Sequence, residues 1–503
     1  MSLSYHITTY GCQMNVHDSE VMAGLLEDLG YERAHEPEQA DLVLLNTCCV
    51  RETAEERILG RLGELQRLKR DNPDLLLVVA GCLGQEAGAA ERIRRRAAQV
   101  DVIMGTHNLY RLPELVAEAV RTRACRGGEP VVEVWREEAG SGAAAGIGAG
   151  VAAGIGAAGA SVAGRAGASA RLGEIRENLP IRRQRGVRAW VTIIYGCDNF
   201  CSYCIVPSVR GRERSRLPED IRREVRDLVA AGYREVMLLG QNVNSYGLDL
   251  GPGPGRSFAG LLRELDGLPG MGRIRYTTSH PRNFTDDIIS AVAESEHVCE
   301  NFHLPAQSGS TRILRAMNRH YDREDYLGLI DRIRGKVPGA AFTTDLIVGF
   351  PGETGRDFED TLSLVREVGF ASSFTFAYSP RTGTPASSSP GQLPAEVKQD
   401  RLAHLIEVQN EVSLQGNRAE IGRDVAVLVE GEAEKAPGRG AGRSRTNKLV
   451  VFSAETVGDG GPPGRMADGT RPGGVEVSDL LGREVTVRVE RATTWSLEGR
   501  ASL

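Results

Sequence analysis

The sequence predicts an α/β protein built from an N-terminal parallel-sheet α/β domain, a partial (β/α)6 barrel and a small C-terminal β-barrel. Three observations support this fold class. Apolar runs alternate with helical patterns over residues 1–125, and a second alternating series occupies residues 180–415. Such alternation is typical of βα units around a parallel sheet. Over residues 416–495, short β-rich runs are separated by loops rich in Gly, Pro and Arg.

The individual elements follow from local hydrophobic patterns. In the first series, strands are predicted at residues 5–10, 42–45, 75–79 and 100–104, and helices at residues 17–29, 53–68 and 85–97. In the second series, strands are predicted at residues 190–195, 235–239, 274–278, 301–304, 342–348 and 373–378. In the tail, strands are predicted at residues 425–429, 449–452 and 484–489.

Residues 136–175 separate the first two domains and are predicted to form a Gly/Ala-rich linker. Within them, residues 139–164 carry no charge, a length above the roughly 18 apolar residues that indicate a membrane span. Eleven of these 26 residues are Ala and nine are Gly, and each Gly costs roughly 0.8–1.0 kcal/mol in a helix. The composition therefore predicts a flexible linker and not a membrane segment.

The bulk composition limits the classes of function. The 503 residues are enough for about three domains, and the formal net charge is −6. RNA binding therefore requires a local basic patch, because the chain has no overall basic field. The N-terminal residues show neither a secretory nor a transit signal, which predicts a cytoplasmic location without membrane association.

The cysteine spacing is interpreted as metal-ligand spacing. The nine cysteines are an odd count in a chain without a secretory signal, and cytosolic cysteines more often bind metal or do chemistry than form disulfides. Cys197, Cys201 and Cys204 form a C-x3-C-x2-C run directly after a predicted strand. The C-terminal ends of barrel strands are where active groups are found. This run is therefore predicted to be catalytic.

The three-cysteine run predicts a 4Fe-4S centre with one open iron. Four cysteines normally saturate such a cluster, so three leave one iron free, and in radical chemistry its ligand is S-adenosylmethionine (SAM). Electron transfer from the reduced cluster to the sulfonium of SAM yields a 5′-deoxyadenosyl radical. A zinc site is the alternative, but zinc generally takes four ligands and no fourth Cys or His lies close by in sequence.

Cys12, Cys48 and Cys82 are predicted to hold a second cluster. They are 36 and 34 positions apart, and each follows an apolar strand. Because parallel strands end at one edge of a sheet, the three thiols are expected to converge. The alternative is three unrelated buried cysteines, since Cys is often buried as a small hydrophobe. The cysteines without this placement are interpreted as structural: Cys49, Cys125 and Cys299.

The chain resembles the methylthiotransferases nearly end to end. Besides the Cys197 run, the matching stretches are YGCQMN at 10–15, NTC at 46–48, AGC at 80–82, IVP at 205–207, RGRERSR at 210–216, LGQNVNSYG at 239–247 and RTNK at 445–448. Residues 241–247 and 443–448 resemble the branch that modifies isopentenylated tRNA. Cys49 and the long insertion at 139–164 depart from the family pattern, but neither affects the six cysteines.

The resemblance implies an N-terminal methylthiotransferase domain over residues 1–125, a radical SAM core over 180–415 and an RNA-binding TRAM domain over 416–495. It implies two 4Fe-4S clusters, with SAM as both methyl donor and radical source. The implied reaction adds a methylthio group to carbon 2 of isopentenylated adenosine 37 in the anticodon loop of tRNA. That C–H bond is one that acid–base groups do not activate. Sulfur is delivered from, or through, the N-terminal cluster, and an electron donor such as flavodoxin or ferredoxin is implied.

Two alternatives remain open. One is a methylthiotransferase that acts on threonylcarbamoyl-adenosine tRNA or on a ribosomal protein. The other is an RNA-binding redox sensor with iron–sulfur clusters. A sensor has no need for an open iron within a barrel, so the cysteine spacing favours the enzyme.

Polar residues near predicted strand ends are candidates for holding SAM. An Asp or Glu can bond ribose hydroxyls, and Gly permits close backbone approach. Each candidate can equally be a helix cap or a turn residue. The set is Gln241, Asn242, His303, Gln307, Asp345 and Glu353.

A basic cluster in the tail supplies the local patch that RNA binding requires. Residues 416–503 contain 13 basic and 13 acidic residues, yet no acidic residue lies between Lys435 and Lys448. The cluster is predicted to be a phosphate-binding loop, with a solvated charge run as the alternative. Its members are Lys435, Arg439, Arg443, Arg445 and Lys448. A second cluster near the catalytic cysteines comprises Arg210, Arg212, Arg214 and Arg216.

Overall fold

The computed structural model describes residues 3–48, 52–125, 130–135, 175–183, 186–455 and 476–502. The chain forms two compact units. The first contains the described residues up to 183 together with Tyr195–Asp198 and Cys204–Arg214, and the second contains the remainder. The predicted linker at 136–175 lies outside the described residues, apart from residue 175. Within the described helices, none is long and apolar enough to cross a membrane.

The first unit is built on a parallel six-stranded sheet of order β2-β1-β3-β4-β5-β6. Its strands are β1 (Ser4–Thr9), β2 (Glu32–Arg33), β3 (Leu42–Thr47), β4 (Leu76–Gly81), β5 (Val102–Met104) and β6 (Val131–Glu133). Its helices are α1 (Gln13–Asp28), α2 (Glu52–Asp71), α3 (Cys82–Gln85), α4 (Ala89–Arg96), α5 (Leu112–Cys125) and α6 (Val206–Arg210).

Burial explains why the central strands read as apolar runs. Every residue of β3 and β4 is buried, as expected for a parallel sheet covered on both faces. Ile205 and Val209 of the α6 region pack in one of the two cores of this unit. The predicted helix over 85–97 is wrong in its bounds, because Gly88 adopts a left-handed conformation with φ 75° and separates α3 from α4.

The second unit contains the predicted partial barrel. Its strands form two parallel sheets, β11-β10-β7 and β12-β13-β14, joined by a parallel bridge between Ile274 and Val298. The strands are β7 (Arg188–Thr192), β10 (Glu235–Leu239), β11 (Arg273–Thr277), β12 (Asn301–His303), β13 (Ala341–Val348) and β14 (Ser372–Ala377). Short strands β8 (Ile194–Tyr195) and β9 (Arg214–Ser215) pair with each other.

The helices of this unit alternate with its strands, which confirms the α/β fold class. They are α7 (Pro218–Ala230), α8 (Phe258–Asp266), α9 (Asp286–Glu294), α10 (Thr311–Ala316), α11 (Arg323–Lys336), α12 (Gly355–Val368) and α13 (Ala395–Arg418). Their apolar faces and the strands form one core.

The tail forms a closed five-stranded barrel of order β15-β16-β17-β19-β18. Its strands are β15 (Asp424–Ala433), β16 (Ala436–Ser444), β17 (Leu449–Glu455), β18 (Glu484–Ala492) and β19 (Ser496–Ser502). The sequence did not predict β16 or β19, since both are rich in Gly and polar residues. A Cβ at Gly442 would lie 2.1 Å from the carbonyl oxygen of Leu428, and one at Gly499 would lie 2.0 Å from that of Arg488. Tertiary packing therefore requires glycine in these strands.

Buried arginines fasten this barrel to β11. Arg275 donates to the carbonyl oxygens of Ser444 at 2.6 Å and Arg445 at 2.8 Å, and its Nε lies 2.7 Å from Glu235. Glu235 is fully buried and also accepts from Arg188. Burial raises the pKa of Glu235, but Arg275 and Arg188 outweigh it and hold that pKa below its usual value.

We predict that Glu235→Gln destabilises the protein. The substitution leaves the buried Arg275 and the half-buried Arg188 without their shared carboxylate, and removing one partner of a buried pair costs about 3–5 kcal/mol. The free energy of unfolding, measured by denaturant titration at equal iron content, should fall by that amount. Because the pKa of Glu235 is lowered, its contribution is present at neutral pH and is lost as pH falls.

The matched control is Glu407→Gln, at an exposed position of α13. A surface change of this kind is expected to alter the free energy of unfolding by less than about 0.5 kcal/mol. Equal effects of the two variants would contradict a stabilising role for Glu235.

Candidate metal centres

The three isolated cysteines of the first unit lie at one edge of its sheet. Cys48 and Cys82 directly follow β3 and β4, and Cys12 lies three residues after β1. These strands are neighbours with parallel register, pairing Thr9 with Asn46 and Thr47 with Gly81. The structure therefore places all three cysteines at the carboxyl edge, where the sequence predicted them. Their function as cluster ligands stays a prediction.

Two glycines permit the close approach of these strand ends. Gly81 has φ 97°, and a Cβ there would lie 2.5 Å from the carbonyl oxygen of Thr47. Gly11 has φ 139°, and a Cβ there would lie 2.9 Å from Cβ of Cys48. Such conformations and clearances favour glycine. The glycine before Cys12 and the glycine before Cys82 are thus needed to bring the cysteines together.

Asparagine side chains lock the start of α1 to the end of β3. Nδ2 of Asn15 donates to the carbonyl oxygen of Thr47 at 3.0 Å and to Oδ1 of Asn46 at 3.2 Å. Nδ2 of Asn46 donates to the carbonyl oxygen of Asn15 at 2.7 Å and to Oγ of Ser19 at 2.9 Å. These hydrogen bonds join Asn15, Ser19, Asn46 and Thr47 in one buried network. The network fixes the position of Cys12, the residue that precedes α1.

Arg210 brings a positive charge to this cysteine set. It is 5% exposed, and its Nη2 lies 2.7 Å from Oδ2 of Asp18. Burial lowers the pKa of Arg210, but the charges of Asp18, Cys82 and Cys12 outweigh burial and raise it. A buried cation and the amino end of a helix both stabilise negative charge close to them.

This placement corrects the interpretation of Arg210 and Arg216 as members of a basic cluster open to a nucleotide. Arg210 is engaged with Asp18 in the first unit. In the second unit Arg216 is 7% exposed and pairs with Glu224 at 2.7 Å. The sequence could not reveal these pairs, since their partners lie on other elements.

A tight turn shapes the C-x3-C-x2-C loop after β8. Gly196 has φ 77°, and a Cβ there would lie 2.0 Å from the carbonyl oxygen of Arg212. The N–H of Cys197 donates to the carbonyl oxygen of Gly211 at 3.1 Å. Cys197 and Cys204 are both partly exposed. Their accessibility is compatible with an iron that also binds a small-molecule ligand.

The centre of this loop is held by residues that follow α10. The N–H of Ser202 donates to the carbonyl oxygen of Met317 at 3.0 Å, and Nδ2 of Asn318 donates to that of Phe200 at 2.9 Å. Cys201 is buried, and Nη1 of Arg319 donates to its Sγ at 3.3 Å. Sequence reasoning missed Arg319, since nothing in the sequence links it to a residue 118 positions away.

The donor chemistry at both cysteine sets fits iron–sulfur clusters. Each set presents thiols beside a buried arginine, Arg210 for Cys12 and Cys82 and Arg319 for Cys201. Among the described side chains, no group of three His, Cys, Asp or Glu is arranged to hold a single metal ion. In a 4Fe-4S cluster each cysteine binds a different iron, so the ligands of a cluster need not meet at one point.

His303 and Asp345 share one face of the sheet β12-β13-β14. Nδ1 of His303 lies 3.0 Å from Oγ1 of Thr343, and its Nε2 lies 3.5 Å from Oδ1 of Asp345. Phe374 pairs with Asp345 in register, is 56% exposed and contacts His303 edge-on. The sequence did not single out Phe374, although Phe374 and Phe376 alternate along β14 as an aromatic face would.

The other predicted SAM residues are held at strand ends. Gln307 has φ 69°, and its N–H donates to the carbonyl oxygen of Asp345 at 2.8 Å. Nδ2 of the buried Asn242, in the loop after β10, donates to Oγ of Ser245 at 2.5 Å. Gln241 precedes it and is half-buried. The backbone places Gln307 beside Asp345. The side chain of Asn242 bonds within its own loop and also accepts from the N–H of His280 at 3.3 Å.

Glu353 is engaged within its turn. Its Oε1 accepts from the N–H of Gly349 at 2.8 Å and from Nη1 of Arg401 at 2.5 Å. Burial raises the pKa of Glu353. The carboxylate thus closes the turn after β13, and its predicted contact with SAM stays a prediction.

Four of the five cations predicted to bind RNA are paired with carboxylates. The pairs are Arg439 with Glu498 at 3.2 Å, Arg443 with Glu430 at 3.9 Å, Arg445 with Glu300 at 2.7 Å and Lys448 with Glu420 at 3.3 Å. Lys435 is exposed and has no ion pair within the described part of the chain. Arg439 and Arg443 lie on β16, so the expected phosphate-binding loop is a strand at these positions.

Trp495 adds an aromatic surface that the sequence analysis did not identify. It is 72% exposed in the turn between β18 and β19. Since Leu449 pairs with Ser496 in parallel register, the preceding residues Lys448 and Trp495 lie at the same end of the barrel. A tryptophan among turn-forming residues is the sequence signal that would have identified it.

Comparison with known proteins finds family matches in two segments of the chain and relatives along nearly its whole length. Residues 4–105 match an uncharacterized protein family, UPF0004, and residues 191–365 match the radical SAM superfamily. The chain is 48% identical to the tRNA-2-methylthio-N(6)-dimethylallyladenosine synthase of Carboxydothermus hydrogenoformans, over 99% of this chain and 98% of the relative. It is 47% identical to the protein of that name from Moorella thermoacetica, over 99% and 98%.

A solved radical SAM enzyme resembles this chain in fold. The methyltransferase TsrM from Kitasatospora setae, solved with cobalamin and a 4Fe-4S cluster, superposes with a TM-score of 0.50 at 14% identity. The match covers 88% of this chain and 81% of that one. At this identity the likeness supports the fold alone.

We predict that the anaerobically reconstituted protein holds about eight irons, the sum of two 4Fe-4S clusters. Cys201→Ala should remove about half of them, because it deletes a ligand of only one cluster. Iron and sulfide analysis measures the content. Cys299→Ala is the control, since Cys299 is buried and lies outside both sets. An iron content near four in the intact protein would contradict the second cluster.

Proposed function

Because the chain belongs to the family of tRNA-2-methylthio-N(6)-dimethylallyladenosine synthases, we propose that it adds a methylthio group to carbon 2 of isopentenylated adenosine 37 in tRNA. The observation that carries the proposal is full-length similarity together with six cysteines on strand ends and strand-following loops of two α/β units. The two cysteine sets differ in their surroundings, which supports two different roles.

The run of Cys197, Cys201 and Cys204 is proposed to hold the cluster that binds SAM. A reduced 4Fe-4S cluster with bound SAM supplies one-electron cleavage of SAM, and hence a radical that can take hydrogen from an unreactive C–H bond. The half-exposed Cys197 and Cys204 leave access for SAM. The chain contributes the fixed loop geometry, through Gly196 and the hydrogen bonds that hold Ser202.

The set of Cys12, Cys48 and Cys82 is proposed to hold the second cluster, from or through which sulfur is delivered. Cys12 is exposed, whereas Cys48 and Cys82 are buried. An exposed ligand beside two buried ones gives the set one accessible side. The buried pair of Arg210 and Asp18 fixes a cation behind it.

The face that carries His303, Asp345 and Phe374 is proposed to receive the adenosyl part of SAM. A carboxylate can accept hydrogen bonds from ribose hydroxyls, and an exposed aromatic ring can stack on a purine. Gln307 lies against Asp345 and belongs to the same proposed site. The remaining members proposed for SAM binding are Gln241, Asn242 and Glu353.

The tail barrel is proposed to bind the tRNA. Lys435 offers an exposed charge for phosphate, and Trp495 beside Lys448 offers a ring on which an unpaired base can stack. Arginines in ion pairs can exchange a carboxylate for a phosphate, and this applies to Arg439, Arg443 and Arg445. A low-potential electron donor such as flavodoxin or ferredoxin and a cytoplasmic location complete the proposal.

We predict that Cys12→Ala, Cys48→Ala or Cys82→Ala still cleaves SAM but makes no methylthio product. Radical generation needs only the cluster on the Cys197 run, whereas sulfur transfer needs the other. Chromatography of 5′-deoxyadenosine and mass spectrometry of tRNA nucleosides measure the two activities. Cys201→Ala is the counterpart and should abolish both. Full methylthiolation by any variant of the first set would remove that set from the mechanism.

We predict that Lys435→Glu and Trp495→Ala weaken tRNA binding in distinguishable ways. Loss of a phosphate contact should lower the slope of log K against log salt by somewhat less than one. Loss of one stacked base should cost about 1–3 kcal/mol with little change in slope. Binding measured over a range of salt concentrations separates the effects. Deleting the whole tail is a poor test, because Arg273 and Arg275 donate to its carbonyl oxygens.

Arg366→Glu is the matched control for the charge reversal, at an exposed position of α12. It should leave both affinity and slope unchanged. Equal tRNA binding by all variants would refute the assignment of the tail to RNA. Activity on threonylcarbamoyl-adenosine tRNA or a ribosomal protein, without activity on isopentenylated tRNA, would move the chain to another branch of the family.

A further inference from the structure

Arg319 is a buried cation that has no carboxylate partner among the described residues. It is 4% exposed. The other comparably buried arginines each pair with an Asp or a Glu, and they are Arg210, Arg216, Arg273 and Arg275. An isolated buried charge is costly, typically by several kcal/mol. The charge of Arg319 therefore requires another compensating group.

The guanidinium of Arg319 divides its donors among three groups. Nη2 donates to the carbonyl oxygen of Pro305 at 2.8 Å, and Nε donates to the hydroxyl of Tyr321 at 2.9 Å. Nη1 donates to Sγ of Cys201 at 3.3 Å. A carbonyl oxygen and a tyrosine hydroxyl carry no net charge. The sulfur of Cys201, which binds iron as a thiolate, is therefore the one partner of the three that supplies negative charge to the guanidinium.

The surroundings hold the guanidinium rigidly against Cys201. The hydroxyl of Tyr321 donates in turn toward the carbonyl oxygens of Ala306 at 2.9 Å and Pro305 at 3.2 Å. The loop on the other side is fixed because Ser202 donates to Met317. Two donor nitrogens of the planar guanidinium are held, one by a backbone carbonyl group and one by Tyr321. The group therefore has little freedom, and Nη1 stays within hydrogen-bond distance of the sulfur.

We propose that Arg319 is a positioning residue that fixes the Cys201 thiolate and raises the reduction potential of the cluster on the Cys197 run. The proposal rests on the proposed function, because it requires that cluster. Reduction by one electron, supplied by a donor of the flavodoxin or ferredoxin type, adds negative charge to the cluster. A fixed cation and an N–H···S hydrogen bond stabilise the reduced form more than the oxidised form. Arg319 thus raises the reduction potential of the cluster into the range in which its electron donor can reduce it.

A purely structural role makes a different prediction. The bonds to Pro305 and Tyr321 alone would explain why Arg319 supports the fold. They would leave the reduction potential unaffected by its charge. The potential is therefore the quantity that separates the two roles.

The test is a redox titration of anaerobically reconstituted full-length protein, followed by electron paramagnetic resonance. The signal that changes when SAM is added identifies the relevant cluster. The variants are Arg319→Gln, which removes the charge, and Arg319→Lys, which keeps the charge but loses the planar three-armed donor. The control is Arg315→Gln, which makes the same charge change at an exposed position of α10.

For Arg319→Gln we expect the ratio of reduced to oxidised cluster at a fixed potential to fall about tenfold, a shift of about 59 mV for one electron. Arg319→Lys should shift the midpoint in the same direction by less. Arg315→Gln should not shift it, because its charge is screened by solvent.

An unchanged midpoint in both Arg319 variants overturns the proposal, and so does an equal shift in the Arg315 control. If Arg319→Gln loses its iron, Arg319→Met, which also removes the charge, is titrated in its place, and an unchanged midpoint there rejects the role. A wild-type protein in which no signal responds to SAM would instead refute the proposed function.

Discussion

The parallel register of β1, β3 and β4 is the constraint on which the candidate centre of the first unit depends. Parallel strands end at one edge, so residues far apart in sequence become neighbours there. The cysteines at this edge can share one cluster only if the strand ends approach each other closely. Gly11 and Gly81 allow that approach, since a side chain at either would strike Cys48 or Thr47. The asparagine pair of Asn15 and Asn46 then fixes the arrangement.

Buried cations beside thiols are the second shared feature of the two centres. In a low-dielectric interior, a charge interacts strongly with its neighbours and is costly without them. Arg210 has its carboxylate in Asp18 and adds its charge near two cysteines. Arg319 has only a sulfur as its anionic partner among the described residues. The first cation is therefore paired with a carboxylate and the second with a sulfur.

The tail shows how tertiary structure redistributes charge. A run of cations without acidic residues in sequence suggests a free basic patch. In the fold, strand β15 brings Glu430, strand β19 brings Glu498 and the turn after helix α13 brings Glu420 to these cations. Lys435 and Trp495 remain exposed. The net charge of a short stretch of sequence therefore does not predict which charges are unpaired on the surface of a small barrel.

The sequence by itself determined the fold class, the six cysteine positions and the family. These features depend on local hydrophobic periodicity and on motifs within a few residues, and both are visible in one dimension. Only the tertiary structure decided which charges are free. The hydrogen bond of Arg319 with Cys201 and the ion pair of Arg445 with Glu300 join residues 118 and 145 positions apart. Only the tertiary structure also showed strands β16 and β19. Their glycines have low β-propensity, so the sequence pattern does not predict strands there, and close packing against neighbouring carbonyl groups requires those glycines.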